Sequence, residues 1–388
     1  MPVAVDMKAW PEDWLRLNAV CPYYTMFPLD FPLQQMTKYS DARRVLDPFC
    51  GRGTTLYAAR LAGRSAVGID VNPVAGAIAQ AKLARVGPSS VVRLARDLIR
   101  EYGDASVPKG DFWDWAFHDQ TLRELAALRE GLLRWQDTAT SVMLRALILG
   151  VLHGPRNKGL PSYLSNQMPR TYASKPAYAV RFWRERDLRP VHIDPVEVVA
   201  RRAERMLRNL PPRTGGRVLL GDAATTVARL RRRFDLVVTS PPYYGMRTYV
   251  PDQWLRNWFL GGPPNVPYGT EGQLATKRSQ AAFVSAMAEV WRAVAERCSP
   301  GAHLVVRFGA LPSAGVSPEK MLLASLTEAG AGWLVRDVRP AGAAIGSRRQ
   351  AEQFNRKQRM GPAVGDIDVT AELIRRQRVG NSATSRRG

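Results

Sequence analysis

The sequence predicts an α/β protein whose parallel sheet is interrupted by a long, mostly helical insertion. Three observations carry this. Residues 44–70 read as strand, glycine-rich turn, helix and strand. Residues 217–239 repeat the alternation, from RVLLGDA through TTVARLRRR to FDLVVT. Between 88 and 194 there is little strand signal, while leucines at 122, 125, 128, 132 and 133 recur at helical spacing.

The totals bound what such a chain can do. Its 388 residues, 45% of them hydrophobic, suffice for one large or two ordinary domains with a real core. A formal charge of +22 repels itself in a compact state, so the natural partner is a polyanion, and nucleic acid is favoured over a membrane surface. No apolar run is long enough to span a membrane, and the N-terminus, MPVAVDMKAWPEDW, lacks the pattern of a signal peptide. Cys21, Cys50 and Cys298 are widely spaced and the four histidines are scattered. That predicts a reducing, cytoplasmic compartment and no metal centre.

Residues 1–40 form an aromatic, proline-rich arm with a short helix near Leu33–Tyr39. The α/β unit occupies 41–87 and 195–345. It opens with the strand RVLD, the turn PFCGRGTT and the helix LYAARLAG, in which Gly51 and Gly53 allow a sharp turn and a close ligand approach. The next strand, SAVGID, ends in Asp70, 19 positions after Gly51, where nucleotide-binding folds place an acid on ribose hydroxyls. Position 56 is Leu rather than a third glycine, which weakens a nicotinamide reading. A helix follows over Pro73–Arg85.

The insertion, 88–194, begins with amphipathic and apolar helices. Its second half mixes Arg and Lys with Tyr, Phe, Trp, Asn and Gln, which suit phosphates, unstacked bases and base edges, and this block is assigned to target recognition. The run YLSNQMPRTY within it looks constrained, for no reason visible in the sequence. After a basic helix over Pro195–Leu210, Asp222 closes a strand, where it suits a helix N-cap. Gly245–Thr276 reads as a long loop carrying Trp254 and Trp258, able to close over a substrate. Helices at Ser279–Arg297 and Lys320–Ala329 and strands HLVVRFG and GWLVRDVRP complete the unit, and 346–388 reads as a basic, phosphate-contacting or partly disordered tail.

The stretch around which this is organised is LVVTSPPYYG, Leu236–Gly245. A buried strand runs into Ser240, and Pro241 and Pro242 end it. The prolines give up two donors but aim their carbonyls rigidly. With the Ser240 hydroxyl and the flat face of Tyr243, they form a set of acceptors and a platform suited to a planar base and its exocyclic amine.

Ser-Pro-Pro-Tyr at a strand end, behind DPFCGRGTT and GIDVNP, resembles the motifs of the S-adenosylmethionine-dependent DNA amino-methyltransferases, in the α/β parts 25–85 and 215–340. The resemblance implies a Rossmann-like methyltransferase sheet with the arm covering the cofactor's methionine end. Asp47, Cys50, Gly51 and Gly53 would border the methionine moiety, which the stretch from Thr25 would cover. Asp70 would hold the ribose, and Asp222 and Ala223 would border the adenine, with Phe49, Thr54 and Asn72 also in the cofactor-binding set. For Cys50 a packing role is favoured. Ser240, Pro241, Pro242 and Tyr243 would be catalytic, acting on a base flipped out of double-stranded DNA. Serine at the first position favours cytosine N4 over adenine N6. A restriction-modification or phage-defence role would need a separate endonuclease, since no nuclease-like acidic triad is present. The alternatives are an adenine-N6 DNA or RNA amino-methyltransferase and, in another class, an inactive cofactor-binding DNA-binding protein.

Overall fold

The structure is a computed structural model and describes residues 9–23, 28–245, 249–266, 279–310, 315–341 and 365–374. Its strands are β1 (Arg44–Asp47), β2 (Ser65–Asp70), β3 (Gly216–Leu220), β4 (Phe234–Thr239), β5 (Cys298–Phe308), β6 (Trp333–Pro340) and β7 (Ile367–Leu373). They form one sheet in the order β3-β2-β1-β4-β5-β7-β6. The first five are mutually parallel, and β7 runs antiparallel to both β5 and β6. The order reverses between β1 and β4, so a crevice opens at their carboxyl ends, the usual ligand site of such sheets.

Alternation along β4 shows why both faces are covered. Leu236 and Val238 point into one core with Val45 and Val305, while Val237 points into the other with Leu46 and Val306. The helices are α1 (Glu12–Arg16), α2 (Asp30–Lys38), α3 (Thr54–Leu61), α4 (Pro73–Leu83), α5 (Pro88–Glu101), α6 (Asp111–Ala116), α7 (Asp119–Arg134), α8 (Ala139–Val151), α9 (Pro176–Arg184), α10 (Pro195–Leu207), α11 (Ala223–Ala228), α12 (Tyr249–Asp252), α13 (Trp254–Phe259), α14 (Gln280–Glu296) and α15 (Pro318–Ala329). Helices α3 to α10 share the first core, and α11, α14 and α15 fill the second.

The insertion is fastened to the sheet at its root. Arg60 of α3 is buried, and its guanidinium donates to the carbonyls of Lys82 (2.6 Å) and Ala84 (2.8 Å), where the insertion leaves. It also donates to Pro211 (2.7 Å) and Pro212 (3.0 Å), where the chain returns. Four carbonyls satisfy a buried cation that has no carboxylate partner among the described residues. Helix α10, expected as part of the α/β unit, packs on α5 and α8, so the helical block continues to the strand β3.

Two expectations are corrected. Residues 367–373, read as part of a basic tail, are strand β7, inserted between β5 and β6. The apolar positions Ile367, Val369, Ala371 and Leu373 alternate along it, and arginine-rich flanks hide that signal in a count of charge. Residues 342–364 and 375–388 of that tail lie outside the described residues. The stretch after Gly245 is likewise not simply a loop. Trp254 and Trp258 are buried in α13 and pack against Trp113 of α6.

Among the described residues no helix is long and apolar enough to cross a membrane, and no cluster of His, Cys, Asp or Glu is placed to hold a metal. The three cysteines are buried and free.

Candidate active site

The crevice is built from the ends of β1, β2 and β4. At the end of β1, Asp47 is buried, and its Oδ1 accepts from Thr239 Oγ1 (2.6 Å) and Phe49 N (3.1 Å). Thr239 is the residue before the tetrapeptide, so a single hydrogen bond ties β1 to the mouth of β4. Thr55 of α3 adds a second tie, donating to Val238 O (3.2 Å). The turn between them depends on two glycines in the left-handed region. Gly53 (φ +77) lies so close to α4 that a Cβ would meet that of Ala79 at 2.7 Å. Gly51 (φ +49) donates its N–H to Asp70 Oδ2 (2.9 Å), and a Cβ there would meet nothing within 4 Å. One glycine permits close packing, and the other leaves open space facing the crevice.

Two acids set the electrostatics. Burial pushes Asp47 up to about 7, against the pull of its hydrogen bonds. Its Oδ2 is buried with no hydrogen-bond partner among the described residues. Burial also lifts Asp70 to about 6, while backbone N–H groups of Asn72 and Gly51 hold its two oxygens. An unpartnered carboxylate oxygen suits an ammonium group. A strand-end carboxylate with lone pairs still open suits a pair of hydroxyls. Beside Asp70, Val71 and Leu220 are 48% and 60% exposed at the ends of β2 and β3, an apolar surface for a flat ring that sequence reading missed. These features fit S-adenosylmethionine.

The other sequence-nominated residues divide. Phe49 is half-buried, with its ring edge-on to Trp291. Thr54 is buried at the first turn of α3. Cys50 is buried, and a Cβ on Gly68 would lie 2.8 Å from its sulfur, so its side chain packs and does not reach the crevice. Asn72 caps α4 through Val74 N (2.9 Å), and its amide donates to the Tyr23 hydroxyl (3.0 Å). Asp222 is exposed and caps α11 through Thr225 N (3.0 Å), and Ala223 is buried behind it. Thr25 lies outside the described residues.

The tetrapeptide leaves β4 with Ser240 and Pro242 half-buried and Pro241 buried. Tyr243 does not present the expected free face. It is 1% exposed and packs edge-on to Phe308 (6.3 Å between ring centres). The reason is Gly309, where a Cβ would meet the Tyr243 ring at 2.7 Å and Asp366 Oδ1 at 2.4 Å. Without a side chain there, the ring folds down onto β5. Tyr244 lies half-buried beside it, bridged to Ala310 and edge-on to Phe283.

The run YLSNQMPRTY gains a physical account. Its carbonyls and amides join the insertion to α13. Asn166 N donates to Ala116 O and its amide to Trp115 O, and Trp183 Nε1 donates to Gln167 O. The buried Arg256 of α13 donates to Arg170 O (3.1 Å) and Leu149 O (3.0 Å), while Gln253 donates to Thr171 O (3.0 Å). The basic, aromatic block is therefore fixed to the helix that follows the tetrapeptide.

The sheet, with a glycine turn after β1 and an acid at the end of β2, resembles that of the S-adenosylmethionine-dependent methyltransferases. Residues 25–81 match the DNA methylase family of N6/N4 methyltransferases, as the motifs implied, and that family implies S-adenosylmethionine as cofactor. Over 134 residues the chain is 25% identical to the Type II methyltransferase M.MjaII of Methanocaldococcus jannaschii, a match covering 33% of this chain and 23% of that protein. Similar solved structures include an rRNA methyltransferase, AviRa, from Streptomyces viridochromogenes (14% identity, 91% of this chain and 88% of that one, TM-score 0.34). Another is an S-adenosylmethionine-dependent methyltransferase from Methanosarcina mazei (12% identity, 90% and 99%, TM-score 0.31).

Cofactor binding is expected to respond to both acids. Asp70→Ala should weaken S-adenosylmethionine binding more than about tenfold by calorimetry, roughly 1.4 kcal/mol. Asp47 and Asp70 hold their protons more tightly folded than unfolded, at about 7 and 6 against 3.8. Their contribution to stability is therefore full below the unfolded value and is lost as pH rises through about 6 to 7. Cofactor affinity should run the opposite way, rising from pH 5 to a plateau above about 7, because the ammonium and hydroxyls need carboxylates. Asp47→Asn should flatten the Asp47 part of both profiles, and unchanged profiles would remove Asp47 from this role.

Proposed function

We propose that the protein transfers a methyl group from S-adenosylmethionine to an exocyclic amine of a DNA base, cytosine N4 in preference to adenine N6. The observation that carries this is the 2.6 Å hydrogen bond from Thr239 to Asp47, which fixes Ser240 and Pro241 beside the carboxylate of the cofactor crevice. S-adenosylmethionine supplies an electrophilic methyl group on its sulfonium. The chain's residues prepare the nucleophile. A cytosine amine is poor because its lone pair is delocalised into the ring. Ser240 Oγ and the Pro241 carbonyl accept hydrogen bonds from its two N–H groups, draw the nitrogen towards a tetrahedral shape and hold it for direct attack on the methyl carbon. The N–C bond forms as the S–C bond breaks, S-adenosylhomocysteine leaves and the surplus proton on nitrogen passes to solvent. Tyr243 braces this loop against β5, and stacking on the base would require the ring to swing away from Gly309.

The recognition role assigned to the insertion is supported by its surface. Arg189 lies 4.1 Å from the centre of the Trp115 ring and Arg186 4.1 Å from that of Phe182, and Tyr178 is 56% exposed. Cations paired with rings suit phosphates and unstacked bases. The likeness to a Type II methyltransferase supports a modification role beside a separate endonuclease. Nucleoside mass spectrometry of DNA treated with the pure protein tests the reading. N4-methylcytosine without N6-methyladenine is expected. N6-methyladenine, or methylation of tRNA alone, would overturn the choice of target, and no methylation of any substrate would overturn the activity.

A further inference from the structure

We propose that a groove at the amino ends of β1 to β4, at the opposite end of the sheet from Ser240, binds the phosphate backbone of a second nucleic-acid segment. The groove holds about 520 Å³, and Arg44, Arg217, Arg229, Arg231 and Arg232 line it. All five are exposed. Arg44 is engaged by Asp235 at 3.4 Å. The other four have no ion pair among the described residues, in a chain that forms such pairs elsewhere on its surface. Asp235 is itself committed, to the N–H groups of Arg43 and Arg44 and to Ser299 Oγ. Four guanidiniums around a concave floor that includes Gly215, Gly216 and Ser65 are arranged for several anionic oxygens in a row.

The segment bound here is not the one carrying the target base. The length of β4 separates the groove from Ser240, about 20 Å at roughly 3.3 Å per residue. A short duplex seated at the carboxyl-end crevice ends before the groove, whereas a long DNA can loop back and lay a second segment of itself there. Nucleic acid is chosen over a small anion because the whole chain is basic, +22, and the groove is open along one side of that surface. The choice of DNA as probe rests on the proposed function, but the measurement is of binding and needs no methyl transfer.

The test compares long DNA with a duplex of about 12 base pairs, by anisotropy across a salt series. The variant carries Arg229→Ala, Arg231→Ala and Arg232→Ala. All three side chains are exposed, and Arg44, which helps hold β1 to β4, is left in place. A control removes the same charge from the exposed Arg292, Lys320 and Arg336, which lie outside the insertion, the crevice and the groove. The groove variant should lose at least about tenfold in affinity for long DNA, with the log–log salt slope reduced by about two to three. Its affinity for the short duplex should stay within about twofold of the parent, and the control should lose several-fold less on long DNA. Equal losses on short and long DNA would place the arginines in the path of the target duplex and overturn the proposal. So would a control that loses as much, or no loss at all. Groove-dependent binding of inorganic tripolyphosphate without groove-dependent binding of long DNA would assign the site to a small anion and also overturn it.

Discussion

Ser240→Ala is expected to lower methyl transfer about a hundredfold or more while cofactor affinity stays within about twofold. The half-buried Ser240 sits at the mouth of β4, and in the proposed mechanism its hydroxyl faces the base. The bond that shapes the cofactor side belongs to its neighbour, Thr239, which donates to Asp47 whether or not residue 240 has an oxygen. Removing Oγ takes away one of two acceptors on the amine, a contact that matters most as the nitrogen changes shape. Losing one such preorganised group commonly costs about 10²–10³ in rate. The signature is a fall in kcat with little change in S-adenosylmethionine affinity. A fully active variant would leave Ser240 without a catalytic role and take the mechanism from the choice of cytosine.

Asp368→Ala is expected to destabilise the protein by about 3–5 kcal/mol, the usual consequence of stranding a buried charge. Arg307 on β5 donates to both oxygens of Asp368 on β7, at 2.7 and 2.8 Å, and both side chains are more than nine-tenths buried. The guanidinium also lies 3.8 Å from the centre of the Phe31 ring of α2. One bidentate pair thus joins the last strand, the sheet and the N-terminal segment beside Phe308, on which Tyr243 rests. Arg307→Met with Asp368→Leu should recover most of the loss, since an apolar pair of similar volume often replaces a buried ion pair at little cost. Denaturant unfolding of the parent and both variants measures this. A single variant as stable as the parent would mean that solvent reaches Arg307.

The parts of the chain with strong local grammar were legible. Strand, glycine turn and acid over 44–70 were read at their observed places, because Gly51, Gly53 and Asp70 are short-range requirements of one turn. So were α7, α8 and α14, whose periodicity is long. Contacts made only in three dimensions were not. Nothing near Tyr243 announces that Gly309 will receive its ring, and nothing near Thr239 singles it out as the donor to Asp47, 192 positions away. The run YLSNQMPRTY looked unusual because its polar groups serve partners on α6, α9 and α13, none adjacent in sequence. Strand β7 is hard to see in the sequence because its alternating Ile367, Val369, Ala371 and Leu373 sit between arginine-rich flanks.

That strand sets an order of events during synthesis. Among the described residues β6 pairs with the sheet through β7 alone, and β7 ends at Leu373. A ribosome that has delivered everything through Pro340 has released the cofactor crevice, the tetrapeptide and the insertion, yet β5 still offers an open hydrogen-bonding edge and β6 has nothing to pair with. Domain-sized chains emerge at about 5–20 residues per second, so this edge stays bare for seconds. Bare edges recruit other strands. The growing chain is therefore most exposed to mispairing with its neighbours on the same messenger in that interval, and the last strand to arrive is the one that ends it.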